Sequence, residues 1–158
     1  MDEFFMHEAL KQARKAAAKS EVPVGCVVVL DDKIIGRGHN LRNARGNALY
    51  HAEMLAINQA CKQVGDWRLD NCTIYVTTEP CPMCAGAILQ ARIPRLVYGT
   101  KSPKAGAAGS LINLLNDPRF NHVVHITCGI LETECAALMS GFFASLRRSK
   151  EDKLWTKL

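Results

Sequence analysis

Two cysteines separated by two residues lie in the segment TEPCPMCAG, which covers residues 78–86. Cys81 and Cys84 could form a redox pair, provide half of a structural zinc knuckle, or bind a catalytic metal ion, because two thiols at this spacing suit all three kinds of site. A structural knuckle needs four protein ligands, and the chain contains no second CxxC pair. A thioredoxin-like redox motif would follow the first strand of a different pattern of elements. The pair alone does not decide among the three kinds of site, but the rest of the chain supports neither a redox pair nor a structural knuckle.

A third metal ligand is found in the segment YHAEM. A catalytic zinc ion takes three protein ligands and keeps one position open for water. His51 stands at the beginning of the second predicted helix, as the cysteines stand at the beginning of the third. Two helices that leave neighbouring strands of a parallel α/β sheet begin at the same rim, so a metal ion there can contact both. The sequence therefore predicts a zinc site made of His51, Cys81 and Cys84, with Glu53 as the catalytic group.

These residues and Pro80 form the known H-x-E … P-C-x-x-C signature of zinc-dependent nucleobase deaminases. One imidazole and two thiolates leave the zinc ion Lewis-acidic, so its water ionises near neutral pH. Hydroxide then attacks the ring carbon that bears the amino group. Glu53 takes a proton from the water and delivers it to the ring nitrogen, and it then delivers a second proton of that water to the departing amine. The signature does not distinguish free bases, nucleosides, nucleotides and polynucleotides as substrates.

The elements that position these residues are predicted as helices alternating with strands. A nearly continuous apolar run, VPVGCVVVL, is typical of a strand buried on both faces, and Asp31-Asp32 predicts a tight turn into a second strand. Asp2 is predicted to cap the first helix and Gly65 to close the second. This order predicts a three-layer α/β/α fold with a central mixed five-stranded sheet. The predicted helices cover residues 2–19, 51–64, 82–92, 110–116 and 132–150, and the predicted strands cover residues 22–30, 33–38, 72–78, 95–99 and 122–127.

The composition is that of a soluble globular protein. The 158 residues, 48% of them hydrophobic and 22% charged, suit one domain over residues 1–158. No apolar run approaches the roughly 18 residues of a membrane span, and the N-terminal segment does not resemble a signal peptide. We therefore expect a cytoplasmic protein without a membrane partner. The seven cysteines make a disulfide framework improbable, and Cys26, Cys72 and Cys128 are predicted to be buried thiols.

The positive charge is concentrated in three segments. The net charge is +5, and basic residues cluster in residues 37–47, 92–104 and 147–158. The first two of these segments contain no acidic residue, and the last contains five basic and two acidic residues. Basic loops and a basic tail are typical of a protein that binds a polyanion, although a solvated charged surface has the same composition.

The chain resembles the bacterial tRNA-specific adenosine deaminases over about residues 4–148. The segments that carry the resemblance are EVPVGCVVV, GRGHN, HAEMLAI, YVTTEPCPMCAGAI, RIPRLVYG, KAGAAGSL and ECAALMSGFF. The resemblance implies a cytidine-deaminase-like fold and a zinc-containing homodimer with one Zn²⁺ per subunit. It implies hydrolytic conversion of the wobble adenosine (position 34) of tRNA(Arg) to inosine, with release of ammonia. The anticodon stem-loop would be the part of the tRNA that is bound.

The resemblance also implies roles for residues outside the zinc signature. Asn40 would hydrogen-bond the flipped base, and Val24 and Pro80 would shape its pocket. Ser102 would lie near the substrate ribose, where the family commonly has an aspartate or asparagine. A group of basic residues would surround the mouth of the pocket and contact RNA phosphates: Arg42, Arg45, Lys101, Lys104, Arg147 and Arg148.

Two adjacent aromatic residues in the last helix offer a surface on which a nucleotide could stack. We assign this role to Phe143, and we expect at least one of Phe142 and Phe143 to pack in the core.

Two other functions fit the same residues. A small-molecule deaminase acting on free cytosine, guanine or a nucleoside would keep the zinc ion and Glu53, but the basic tail and the KAGAAGSL segment speak against it. A non-catalytic RNA-binding subunit could keep the fold, but it would have no need of Glu53. The sequence therefore favours a tRNA adenosine deaminase over both alternatives.

Overall fold

The order of helices and strands follows the predicted alternation in most of the chain. The computed structural model describes residues 1–155, so residues 156–158 of the predicted basic tail lie outside the described residues. The elements are α1 (Asp2–Ala18), β1 (Gly25–Leu30), β2 (Lys33–His39), α2 (Arg42–Arg45), α3 (Ala52–Val64), β3 (Thr73–Thr78), α4 (Pro82–Gln90), β4 (Arg95–Thr100), β5 (His125–Cys128) and α5 (Glu132–Trp155).

The five strands form one mixed sheet in the order β2-β1-β3-β4-β5. β1 runs antiparallel to both β2 and β3, whereas β3, β4 and β5 are parallel. Asp31 and Asp32 connect β1 to β2 with φ angles of 49° and 58°, the left-handed conformation that a two-residue hairpin turn requires. The mixed sheet and the hairpin confirm the predicted fold class.

Helices cover both faces of the sheet. Side chains of successive strand residues point to opposite faces, so Val28 packs under α3 and α4 while Val27 and Val29 pack under α1 and α5. Tyr75 and Val97 belong to the same layer as Val27. The apolar run of β1 is therefore buried on both faces, as its composition predicts.

Helix α3 lies directly on the backbone of β2. Gly36 and Gly38 face α3 so closely that a Cβ atom at either position would overlap the carbonyl oxygen of Ala56 or Ala52. Gly65 closes the helix in the left-handed conformation, with φ 80°, as predicted. The alternating glycines of β2 thus fix the position of the helix that begins beside His51.

Two local predictions are wrong because backbone N–H groups find other acceptors. Residues 110–116 form turns and an isolated bridge between Ala108 and Asn113 rather than a helix. The N–H groups of Leu111 and Ile112 both donate to the carbonyl of Gly106, which is not a helical pairing. In the segment predicted as a polar loop, the short helix α2 forms.

Two side chains also differ from expectation. Asp2 begins α1 but makes no capping hydrogen bond, because its carboxylate instead accepts hydrogen bonds from Arg95 and Tyr75. Cys26 and Cys72 are buried as predicted, but Cys128 is exposed. Cys128 ends the edge strand β5, which has a neighbour on one side only.

The last helix is the longest element. α5 runs from Glu132 to Trp155, five residues further than predicted, and packs against β3 and β4 near its beginning. Among the helices of residues 1–155, none combines the length and the apolar character that crossing a membrane would require.

Candidate active site

The candidate metal ligands meet where two helices begin. His51 precedes α3, Cys81 precedes α4, and Cys84 lies in the first turn of α4. The Nδ1 atom of His51 lies 3.6 Å from the Sγ atom of Cys81 and 3.6 Å from that of Cys84. In the part of the chain that the structure describes, this is the one group of histidine, cysteine and acidic residues found to be arranged for a metal ion, with ligand atoms within 4.8 Å of one another. The three predicted ligands are therefore brought together.

The sheet topology explains why both helices begin at the same rim. β2 and β3 are both antiparallel to β1, so they point in the same direction. α3 follows β2 after a loop, and α4 follows β3 directly. The expectation that the two helices leave neighbouring strands is wrong, because β1 lies between β2 and β3. Because β1 is antiparallel to both of them, β2 and β3 nevertheless run in the same direction, and α3 and α4 begin at the same rim.

The thiols and the imidazole are electrostatically linked. A hydrogen bond with the Cys84 thiol, and a second with His51, lower the pKa of Cys81 to about 4. The hydrogen bond with Cys81, together with burial, raises the pKa of Cys84. The hydrogen bond with Cys81 also raises the pKa of His51. One thiolate beside the imidazole is thus favoured at neutral pH, and the thiolate is the form of cysteine that binds a metal ion.

Glu53 lies in the first turn of α3, and only 4% of its surface is exposed. Burial raises the pKa of its carboxyl group to about 7. A carboxyl group with a pKa near the working pH can accept a proton and release it again. Glu53, His51 and Cys81 line the same cavity, so the predicted catalytic group stands beside the predicted ligands.

The cavity has a volume of about 140 Å³ and opens beside the ligand cluster. Asn40 and Val24, both predicted to contact a base, line it. Asn40 is 7% exposed, and its side chain accepts a hydrogen bond from the Arg42 N–H at 3.0 Å and donates one to the Val22 carbonyl at 3.4 Å. Pro80 is buried and does not itself line the cavity, but both of its chain neighbours do.

The other predicted substrate residues lie outside the cavity lining. Ser102 is half-buried in the loop after β4, and Lys104 is exposed in the same loop. Arg147 is exposed on α5, and Phe143 is 39% exposed on the same helix. Phe142 is half-buried, so the expectation that one of the two phenylalanines is a core residue is wrong.

Comparison with known proteins places the chain in a family. The model of the MafB19-like deaminases matches residues 1–147. A protein of Bacillus subtilis (strain 168) named tRNA-specific adenosine deaminase is 50% identical over 150 residues, which are 95% of this chain and 93% of that protein. The chain belongs to the tRNA-specific adenosine deaminase family. It is thus a hydrolytic deaminase, and the His-Cys-Cys cluster is compatible with that assignment.

Solved structures of other deaminases share the fold. One, from a study of A-to-I editing by tRNA:A34 deaminases at the wobble position of transfer RNA, has a TM-score of 0.82 and 41% identity, and the match covers 85% of this chain and 98% of that chain. The guanine deaminase of Bacillus subtilis has a TM-score of 0.63 and 33% identity, with 79% and 83% covered. The three-layer architecture is therefore that of known nucleobase deaminases.

Sequence reasoning missed two buried carboxylates that organise loops of this deaminase. Glu21 is 1% exposed and accepts hydrogen bonds from the N–H groups of Asn43 and Ala44, at 3.2 Å and 2.6 Å. Both donors belong to α2, and the neighbouring Arg42 lines the cavity. Glu21 therefore satisfies two of the free N–H groups of that short helix.

Glu79 is the second missed residue, and it lines the cavity itself. It is 3% exposed and accepts hydrogen bonds from the loop that follows β4. Burial by itself would raise the pKa of Glu79, but the hydrogen bonds from Ser110, Ser102 and Ala108 together lower it. The one sequence signal was an acidic residue between the apolar strand β3 and the CxxC pair.

Proposed function

We propose that this protein is a tRNA adenosine deaminase that converts the wobble adenosine, position 34, of tRNA(Arg) to inosine and releases ammonia. The observation that carries the proposal is the meeting of His51, Cys81 and Cys84 with the buried Glu53 at one cavity. The 50% identity to the Bacillus subtilis protein named tRNA-specific adenosine deaminase supports the choice of substrate.

The metal that best fits the ligand set is zinc, one ion per subunit. Zinc binds imidazole nitrogen and thiolate sulfur at bond lengths that place two ligands of one tetrahedral ion roughly 3.5 Å apart. The two distances of 3.6 Å from His51 to the cysteines support this fit. When bound, zinc supplies the Lewis acidity that lowers the pKa of a water molecule at the open position.

Glu53 moves the protons of the reaction. Its carboxylate accepts a proton from the attacking water, whose oxygen forms a bond to C6 of adenine. The protonated carboxyl group then donates to the ring nitrogen. The carboxylate next takes the remaining proton of the new hydroxyl group on C6 and passes it to the amino group, whose bond to C6 breaks as the C6 oxygen becomes a carbonyl. Adenosine and water become inosine and ammonia, and Glu53 returns to its initial state. A pKa raised to about 7 by burial suits both directions of transfer.

The walls of the cavity hold the base. The Asn40 amide nitrogen carries two hydrogens and uses one on the Val22 carbonyl, so the second remains to donate to a purine. Val24 supplies an apolar wall. Pro80 contributes by fixing the chain between Glu79 and Cys81, because its carbonyl accepts a hydrogen bond from the Ala107 N–H at 2.8 Å.

The surface around the cavity binds the anticodon stem-loop. Arg42, Arg45, Lys101, Lys104 and Arg147 are exposed, and none of them forms an ion pair with the residues described. Such side chains are available to phosphates. Ser102 would contact the ribose, and Phe143, 39% exposed, would stack on a base.

The proposal includes the setting in which the enzyme works. Residues 1–158 act as one deaminase domain, and two copies form a homodimer. The location is the cytoplasm, where tRNA is found; all seven cysteines are free thiols, which is usual in a reducing compartment.

The test is a comparison of substrates with zinc-loaded wild-type protein. An arginine tRNA anticodon stem-loop with adenosine at the wobble position is incubated beside free adenosine, guanine and cytosine, and inosine, xanthine and uracil are measured. We expect inosine at the wobble position of the stem-loop alone. Xanthine or uracil without wobble inosine would identify a small-molecule deaminase, and no product from any substrate would favour a non-catalytic RNA-binding protein.

A further inference from the structure

The carboxylate of Glu79 accepts hydrogen bonds from both ends of one loop. Oε2 accepts hydrogen bonds from the Ser102 N–H at 3.0 Å and from the Ser110 hydroxyl. Oε1 accepts from the Ala108 N–H at 3.1 Å and from the Ser110 N–H at 2.9 Å. These donors lie at the beginning and the end of residues 102–110, which we name the Glu79 loop. Four donors on two oxygens satisfy the buried charge without a cation.

The sequence of the Glu79 loop fits this carboxylate. Gly106 lies against the Glu79 carboxyl group, and a Cβ atom at position 106 would overlap it. The loop is also tied to the chain around Glu79 at two further points: Glu79 donates its own N–H to the Thr100 carbonyl, and Ala107 donates to the Pro80 carbonyl, both at 2.8 Å. The loop is therefore held at the same stretch that contributes Glu79 and Cys81 to the cavity.

The Glu79 carboxylate is satisfied without using the neighbouring lysines. A buried carboxylate is usually paired with a lysine or arginine. Glu79 instead uses backbone N–H groups and one hydroxyl, and neither Lys101 nor Lys104 forms an ion pair within residues 1–155. Both lysines are exposed. The loop is thus ordered by an acid, while Lys104 within it and Lys101 directly before it stay available to an anion.

We propose that Glu79 is a positioning residue for RNA binding: its carboxylate orders the Glu79 loop at the rim of the cavity and so presents Lys101 and Lys104 to the nucleic acid. Glu79 acts through the loop and does not touch the reacting atoms. This inference rests on the proposed function for its RNA partner, but the ordering of the loop is independent of it.

The test replaces Glu79 by glutamine and compares it with Glu3→Gln. Glutamine keeps one acceptor oxygen and brings an NH₂ group against donors of the loop, so at least one buried N–H loses its acceptor. Glu3 is exposed on α1 and its replacement makes the same change in net charge. For Glu79→Gln on the stem-loop, we expect KM to rise about tenfold and kcat to stay within about twofold of wild type, with zinc retained. Hydrogen exchange of the loop amides should accelerate in this variant only.

A milder variant protects the test against misfolding. Ser110→Ala removes one of the four donors without burying an unpaired N–H, so it should raise KM less than Glu79→Gln does. Unchanged KM and unchanged exchange of the loop amides in Glu79→Gln would overturn the inference. A fall in kcat at constant KM, or loss of zinc, would also overturn it, because Glu79 would then act on the chemistry or the metal.

The two proposals can fail separately. If wild-type protein leaves the stem-loop unmodified, the proposed function is wrong, while amide exchange still decides whether Glu79 orders the loop. If wild-type protein deaminates the stem-loop and Glu79→Gln matches it in KM, the function stands and the role of Glu79 is wrong.

Discussion

The Nδ1 atom of His51 lies 3.6 Å from the Sγ atom of Cys84, although the two residues are 33 positions apart. The contact exists because α3 and α4 begin at the same rim of the sheet. β1 lies between the strands that precede these helices, and its antiparallel pairing on both sides makes the two strands point the same way. The β1–β2 hairpin at the edge of the sheet therefore brings His51, at the start of α3, beside the cysteines at the start of α4.

Replacing Glu53 by glutamine should abolish turnover while zinc remains bound. The amide cannot carry the proton from water to the base, and proton transfer of this kind contributes about 10²- to 10⁴-fold to a rate. Single-turnover rates on the stem-loop and zinc content measured on the same sample check this. Glu134→Gln, at an exposed position on α5, is the control. A near wild-type rate for Glu53→Gln would show that another group moves the proton.

Replacing Cys84 by alanine should remove the metal. The site would keep two of its three protein ligands, and zinc content should fall from one per chain to near none. Because metal stabilises only the folded state, the melting temperature should fall as well, and a chelator should lower that of the wild type in the same way. Cys128→Ala changes an exposed thiol and should keep full zinc content. Equal zinc content in the two variants would contradict the assigned ligand set.

The ion pair between Asp2 and Arg95 should make stability depend on pH. Both carboxylate oxygens accept hydrogen bonds from the guanidinium, at 2.9 Å and 2.8 Å, and these lower the pKa of Asp2 below its ordinary value of 3.8. A lowered folded-state pKa stabilises the protein above the pKa of the unfolded chain, and this stability is lost as the pH falls through the folded-state pKa.

Asp2→Asn should therefore lower the free energy of unfolding by about 1 kcal/mol at pH 7. The difference from wild type should close at a pH below the folded-state pKa of Asp2. Urea denaturation of both proteins, from pH 7 to below the folded-state pKa of Asp2, measures the difference in the free energy of unfolding. A difference that stays constant into acid would show that the ion pair is not its source.

Adding a methyl group under α3 should disturb the metal site from a distance. Gly38→Ala would push Cβ into the carbonyl oxygen of Ala52, the residue after His51. We expect a loss of about 2 kcal/mol in the free energy of unfolding and weaker zinc binding. Gly141→Ala in α5 meets no atom within 4 Å and should instead stabilise the protein by roughly 0.5–1 kcal/mol. Unaltered zinc affinity in Gly38→Ala would mean that α3 can move without displacing His51.

The exposed lysines in and next to the Glu79 loop should account for part of the salt dependence of RNA binding. If Lys101 and Lys104 each contact a phosphate of a single-stranded loop, replacing both by glutamine should reduce the slope of log K against log salt by about 1.4. Lys62→Gln is the control, since Lys62 lies at the end of α3 opposite to His51. Filter binding between low and physiological salt measures the slope. Equal slopes of log K against log salt for the double variant and for Lys62→Gln would show that the RNA does not contact Lys101 and Lys104.

Local sequence was sufficient wherever one segment carries the whole signal. The residue types and spacing of His51, Glu53, Cys81 and Cys84 indicated a metal centre because metal chemistry restricts the possible side chains. The run of β1 and the turn at Asp31-Asp32 indicated a buried strand and a hairpin because period and φ preference act within a few residues.

The tertiary structure alone decided how distant polar groups are satisfied. Glu79 resembled an ordinary acidic residue until the fold brought the N–H groups of Ser102, Ala108 and Ser110 around it. Residues 110–116 do not form the predicted helix, because the loop that they belong to supplies donors to Glu79. Leaving a buried carboxylate without donors costs more free energy than a short helix gains. Hydrogen-bond partners far apart in the chain leave no periodic pattern, so only the folded chain shows them.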